Sequence, residues 1–162
     1  MARVVIADAG PLIAFAAIDR LGVLRTLFSR IWITASVRSE CLAVEALDAQ
    51  RIAASIRDGW LAVEAHARGA APLTPSLGLG ESDSIRLALE DREHSLLIMD
   101  DRLARRYALR KGLNIVGSVR LLDMAERRGL IQSPKACIRE MSDFGYRVSL
   151  GLLEQIRSSK RL

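Results

Sequence analysis

Apolar residues follow two alternating rhythms along this chain. Short blocks rich in β-branched residues, "RVVIAD", "RIWITA", "WLAVEA", "SLLIMDD" and "NIVGS", have strand length and end in polar or turn-forming residues. The first of them, short, β-branched and ended by Asp-Ala-Gly-Pro, reads as a buried strand. Between them lie segments with helical spacing. "PLIAFAAIDRLGVLRTLF" places Pro11 in a first helical turn, with Gly22 expected to divide the segment. "VRSECLAVEALDAQRIAASIRDG" predicts one helix, capped by Ser36 and stopped at Gly59. "ESDSIRLALEDRE" gathers Ile85, Ala88 and Leu89 on one face, and "RLARRYALRKG" and "VRLLDMAERRG" follow the fourth and fifth strands. Ser133-Pro134 starts a helix reaching Phe144, and "LGLLEQIRSS" is a last amphipathic piece. "HARGAAPLTPSLGLG" has the composition of a loop, and only the "SSKRL" tail is expected to be disordered.

Regular alternation of strand and helix predicts a parallel five-stranded sheet with helices on both faces, a three-layer α/β/α sandwich. No repeat or linker divides the chain. The expected organisation is a domain over residues 1–131 with a C-terminal helical extension, 132–162, packed on it.

Composition narrows the function. The 162 residues suffice for one substantial core, and 50% hydrophobic with 27% charged residues is a globular balance. The net charge of +5 and a pI near 9.9 permit an acidic partner such as nucleic acid. Cys41 and Cys137 form no CxxC pair and have no His at ligand spacing, which argues against a zinc site or a disulfide framework. Asp8 and Pro11 interrupt the apolar N-terminal stretch, which is too short to span a bilayer, so the expected location is cytoplasmic. His66 and His94 have no partner and are expected to be structural or solvent-facing. Trp32 and Trp60 fall in predicted strands and are expected in the core.

The candidate chemistry lies in the carboxylates. In an open parallel α/β sheet, ligands bind beyond the carboxyl ends of the strands. Asp8 ends the first strand, and Asp100 and Asp101 close the fourth. Glu40 lies one turn into the helix after the second strand, and Glu81 opens the helix after the long loop. All five are thus predicted at one edge. Each also has an ordinary reading: Asp8 and Asp101 as helix caps, Glu81 as a partner of the helix dipole, Glu40 as a solvated residue. If they converge, like charges about 4 Å apart repel by roughly 4 kcal/mol at an effective dielectric of 20, so they must share protons or hold a cation. An all-oxygen donor set matches Mg²⁺ or Mn²⁺. Such an ion activates water and neutralises a phosphate in an in-line displacement.

The marks "VIADAGPLIAF", "ITASVRSEC", "GLGESDSIRLALE" and "LLIMDDRLARRYALRKGLNIVGS", in that order over about the first 130 residues, resemble the PIN-domain family. The likeness is greatest to a toxin-like subgroup with a "GE" helix start and a "DDRxAR" segment, whose tail resembles "REMSDFGYRVSLGLLEQI". The resemblance implies a Mg²⁺- or Mn²⁺-dependent endoribonuclease, as in the toxin half of toxin–antitoxin pairs. Carried over by position, Asp8 matches the first metal-binding Asp, and Glu40 the acid after the second strand. Glu81 stands where many relatives have Asp. Asp101 fits the acid beyond the fourth strand, with Asp100 a substitute or further ligand. Where many relatives have Ser or Thr two residues after the first Asp, this chain has Gly10.

The first hypothesis is therefore a metal-dependent ribonuclease in which Asp8, Glu40, Glu81 and Asp101, with Asp100, hold one or two ions. Arg102, Arg105 and Arg106 are the candidate RNA contacts, since backbone neutralisation dominates nucleic-acid affinity. No Ser-His or Cys-His arrangement offers a nucleophile. The second hypothesis is a PIN-like module that binds RNA or protein without cutting, supported by the missing hydroxyl at Gly10. A phosphoryl-accepting receiver ranks last, because its paired acids belong after the first strand and its Lys after the last. RNA, a small antitoxin covering the acidic edge and a second copy of the chain are the expected partners.

Overall fold

The computed structural model describes residues 4–65, 71–147 and 150–159. His66 and the first part of the long loop lie outside the described residues. Five parallel strands appear where the apolar blocks predict them: β1 (Val4–Ala7), β2 (Ile31–Ile33), β3 (Leu61–Val63), β4 (Ser95–Ile98) and β5 (Asn114–Val116). They lie in the order β3-β2-β1-β4-β5. β1 is central, with Ala7 opposite Ile98 of β4 and Ile6 opposite Trp32 of β2.

Both faces of the sheet are covered. Val5, Ala7, Ile33 and Ile98 point to one side, into a core shared with α1 (Ala9–Ala17), α2 (Leu21–Phe28), α3 (Ala35–Cys41), α4 (Leu47–Arg57) and α7 (Ser118–Arg127). Ile6, Leu97 and Met99 point to the other, against α5 (Leu79–Leu89) and α6 (Arg102–Arg110). The side-chain period of two therefore splits each apolar block between two cores, the physical reason these strands lack polar alternation. α8 (Pro134–Asp143) and α9 (Leu150–Ser159) add Ile138, Met141 and Leu153 to the first core. Arg157 pins α9 to Glu126 of α7 at 2.9 Å. Ser133 caps α8, accepting from the Ala136 amide. Among the described residues, no helix is long and apolar enough to cross a membrane.

Three local expectations need correction. The first helical segment divides at Asp19 (φ 55), not at Gly22, which sits inside α2. The segment expected as one long helix is two, α3 and α4, with residues 42–46 between them. Its composition suits a helix, but tertiary packing overrides propensity: α3 lies against α5, and α4 against α1 and β3, so the chain must redirect. Ser36 does not cap α3. Thr34 does, accepting from the Val37 amide, which frees the Ser36 hydroxyl to donate to the buried Asp83 of α5.

Candidate metal centre

The strand order reverses direction between β1 and β4, and a crevice must open beyond their carboxyl ends. Asp8 and Asp100 flank it. The Asp8 amide donates to Ile98 O, and the Met99 amide to Val116 O, so the sheet continues until each carboxylate is reached. Asp8, Glu40, Glu81, Asp100 and Asp101 all line one cavity of about 420 Å³, together with Gly10, Tyr146 and Arg147.

The five acids are not equivalent. Asp8 occupies the cap position of α1 yet makes no side-chain cap bond, and its Oδ1 is buried without a hydrogen-bond partner among the described residues. Burial, and then repulsion from Glu81, Glu40 and Asp100, push its pKa up to about 7, against the opposing effect of the Ala9 amide. A buried carboxylate with one oxygen unpartnered is costly and calls for a counter-charge or a proton. Glu40, in the last turn of α3, accepts from the Gly80 amide at 3.0 Å. Gly80 leaves Glu40 its seat, because a Cβ there would overlap the Glu40 carboxylate. Glu81 is the third residue of α5, not its first, and accepts from the Gly78 amide at 2.9 Å. Burial, then the charges of Asp101 and Glu40, raise its pKa despite that bond.

The two acids after β4 part company. Asp100 turns inward, accepting from the Ser118 amide at 2.8 Å, the Ser118 hydroxyl at 2.5 Å and the Tyr146 hydroxyl. Asp101 is exposed and caps α6 through the Ala104 amide. The Asp8 carboxylate thus feels Asp100, whereas Asp101 acts on Glu81.

Sequence reasoning passed over Ser118, Tyr146, Gly80 and Asp83. Asp83 ties α5 to α3 through Ser36 and pairs with Arg86 at 2.8 Å, so two bonds, Ser36–Asp83 and Glu40–Gly80, register the helices that carry Glu40 and Glu81. A Ser at a helix start on the same edge and the "FGY" turn were the available signals. Of the basic residues, Arg102 and Arg106 are exposed, while the half-buried Arg105 donates to Met99 O at 2.8 Å. With Leu109, Arg110 and Leu152 they line a groove of about 660 Å³ that begins at Asp100. His94 is half-buried and bonds Asp91. Cys41 and Cys137 are buried free thiols, and burial pushes Cys41 up to about 12, which removes it as a nucleophile.

The donor set fits a hard divalent cation in kind: carboxylate oxygens only, one of them buried and unpartnered. Among the described residues no group of three His, Cys, Asp or Glu side chains is arranged to hold an ion as it stands. Glu40 and Glu81 each spend one oxygen on a backbone amide, bonds that a side-chain rotation would release.

Fold and site together define a parallel α/β/α domain with an acid-lined cleft at its topological switch point. A family model described as "DUF3368: PIN domain" matches residues 4–161, and the chain belongs to the PIN-domain family. PIN domains are generally nucleases, and this is a nuclease-type fold. No curated protein matches the chain.

Proposed function

We propose that this protein is a divalent-metal-dependent endoribonuclease, the toxin component of a toxin–antitoxin pair. One observation carries the reading: Asp8, buried with an unpartnered oxygen, shares a cavity at the strand edge with Glu40, Glu81 and Asp100. Asp8 and Asp100 are the first candidates to hold Mg²⁺ or Mn²⁺, with Glu40 and Glu81 closing from α3 and α5 and Asp101 at the outer rim. When bound, the ion supplies an activated water and neutralises charge on the scissile phosphate.

The chain's own residues do the rest. Asp8 holds the ion in its ionised form; because burial raises its pKa to about 7 in the metal-free protein, ion uptake near neutrality would release a proton from it. Arg102 and Arg106 on the groove that starts at Asp100 hold the phosphates flanking the cleavage point, and Arg147 borders the cavity itself. A cognate antitoxin would silence the enzyme by covering this edge. A PIN-like module that binds without cutting has one observation in its favour, that among the described residues no three acids are arranged to hold an ion as they stand.

The test is cleavage of single-stranded RNA by purified protein with Mn²⁺, with chelator, and by Asp8→Asn of unchanged circular dichroism. Cleavage should need the metal and fall in the variant by more than the about 10–100-fold lost when a group merely supporting a ligand is removed. Cleavage that persists in chelator overturns the reading. Failure of Mn²⁺ to bind at millimolar concentration would favour the inert module.

A further inference from the structure

Part of the wall of the acidic cavity comes from the chain beyond α8. Tyr146 belongs to the segment after α8, yet its hydroxyl donates to Asp100 Oδ2. The way α8 ends aims it there. The Gly145 amide donates to Ser142 O and the Tyr146 amide to Met141 O, each at 2.9 Å, with φ +91 at Gly145. Glycine is the residue that takes this left-handed state without strain, and the paired bonds turn the chain sharply back. Facing it, Gly10 leaves the room required: a Cβ there would stand 3.1 Å from the Tyr146 hydroxyl oxygen and 3.6 Å from its ring.

Asp100 therefore receives three donors, two from Ser118 and one from Tyr146, while Asp8 Oδ1 across the cavity receives none. A carboxylate held by three donors has its orientation settled before any ligand arrives, and so loses less freedom on binding.

We propose that Tyr146 is a positioning residue of the acidic centre: seated in the space left by Gly10, its hydroxyl fixes the Asp100 carboxylate in the cavity it shares with Asp8 and brings the C-terminal segment into the site. Its consequence for catalysis rests on the metal-dependent reading above, while the hold on Asp100 rests on geometry. The Tyr146 hydroxyl thus stands 3.1 Å from where a side chain at position 10 would begin. The competing account makes Tyr146 an apolar plug whose ring alone matters, since the ring packs against the core.

Tyr146→Phe keeps the ring and separates the two. Mn²⁺ affinity would be measured by calorimetry for the parent, Tyr146→Phe, Gly10→Ala and the double variant. Tyr146→Phe should weaken binding about tenfold or more. Gly10→Ala should also weaken it, because the methyl displaces the hydroxyl, but should add nothing once Tyr146→Phe has removed that oxygen. Unchanged affinity in Tyr146→Phe, or an equal Gly10→Ala effect in both backgrounds, overturns the proposal. Should the parent bind no Mn²⁺, the nuclease reading fails on its own account. The ¹³C resonance of the Asp100 carboxyl in metal-free protein then decides the role of Tyr146. A shift on Tyr146→Phe, absent on Tyr107→Phe, supports it, and an unmoved resonance overturns it.

Discussion

Asp8 weakens the metal-free fold at neutral pH. Its pKa rises from an ordinary 3.8 to about 7 on folding, so between those values the folded state binds a proton that the unfolded chain releases. The favourable contribution is complete below about pH 4 and is lost as pH climbs towards and through 7. Across that window the loss is of order 4 kcal/mol. Urea unfolding of chelated protein should therefore show lower stability at pH 8 than at pH 5, with Asp8→Asn flattening the difference and raising stability at pH 8. Excess Mn²⁺ should oppose the trend, since binding requires the ionised carboxylate. A parent and variant with the same pH slope would contradict this account of the buried acid. At this scale the sequence was informative where a residue ended a strand: Asp8, Asp100 and Asp101 announced themselves by following β-branched runs. Tyr146 did not, because the contact to Asp100 spans 46 residues and depends on a turn whose aim only the packed structure reveals.

The acidic elements meet because helices are registered against one another. α3 and α5 are tied by Ser36 to Asp83 and by Glu40 to the Gly80 amide. Gly80→Ala should barely change stability, since the displaced atoms are the end of a flexible side chain and Ala favours a helix. It should nevertheless push Glu40 out of its seat and lower cleavage about tenfold in a metal titration, with wild-type rates contradicting the role given to Glu40. Ser36→Ala strips a donor from the buried Asp83 and should cost about 1–3 kcal/mol in urea unfolding. All five strands and the last two helices were legible from period and punctuation. The break between α3 and α4 was not, because nothing in "CLAVEALD" forbids a helix and the redirection comes from α1 and α5. Ser36 and Thr34 are both capable caps; which one serves is settled by the proximity of Asp83, a contact with no local sign.

Over the whole molecule, an acidic cleft is set into a basic chain of net charge +5. On the proposed reading the two signs divide the labour: the cleft would draw cations, while the groove between α6 and α9, lined by Arg102, Arg106 and Arg110, would draw the polyanion. Binding of single-stranded RNA by Asp8→Asn should weaken linearly in log salt. Replacing Arg102 and Arg106 together by Ala should shallow that slope by about 1.4, at about 0.7 for each lost phosphate contact. An unchanged slope would move the RNA path off this groove. The fold class followed from alternation, and so did the edge at which the five acids gather, since a parallel sheet obliges its loops to converge there. The inward turn of Asp100 and the outward turn of Asp101 could not follow from two identical neighbours in the chain.

The central claim is that these separated acids form one seat for a divalent ion, and a crystal soaked in Mn²⁺ tests it most directly. The account predicts an anomalous peak inside the cavity, within coordinating distance of Asp8 and Asp100, with Glu40 or Glu81 swung in from its amide. A crystal saturated with millimolar Mn²⁺ that shows no peak there, with Asp8 still unpartnered, would contradict it.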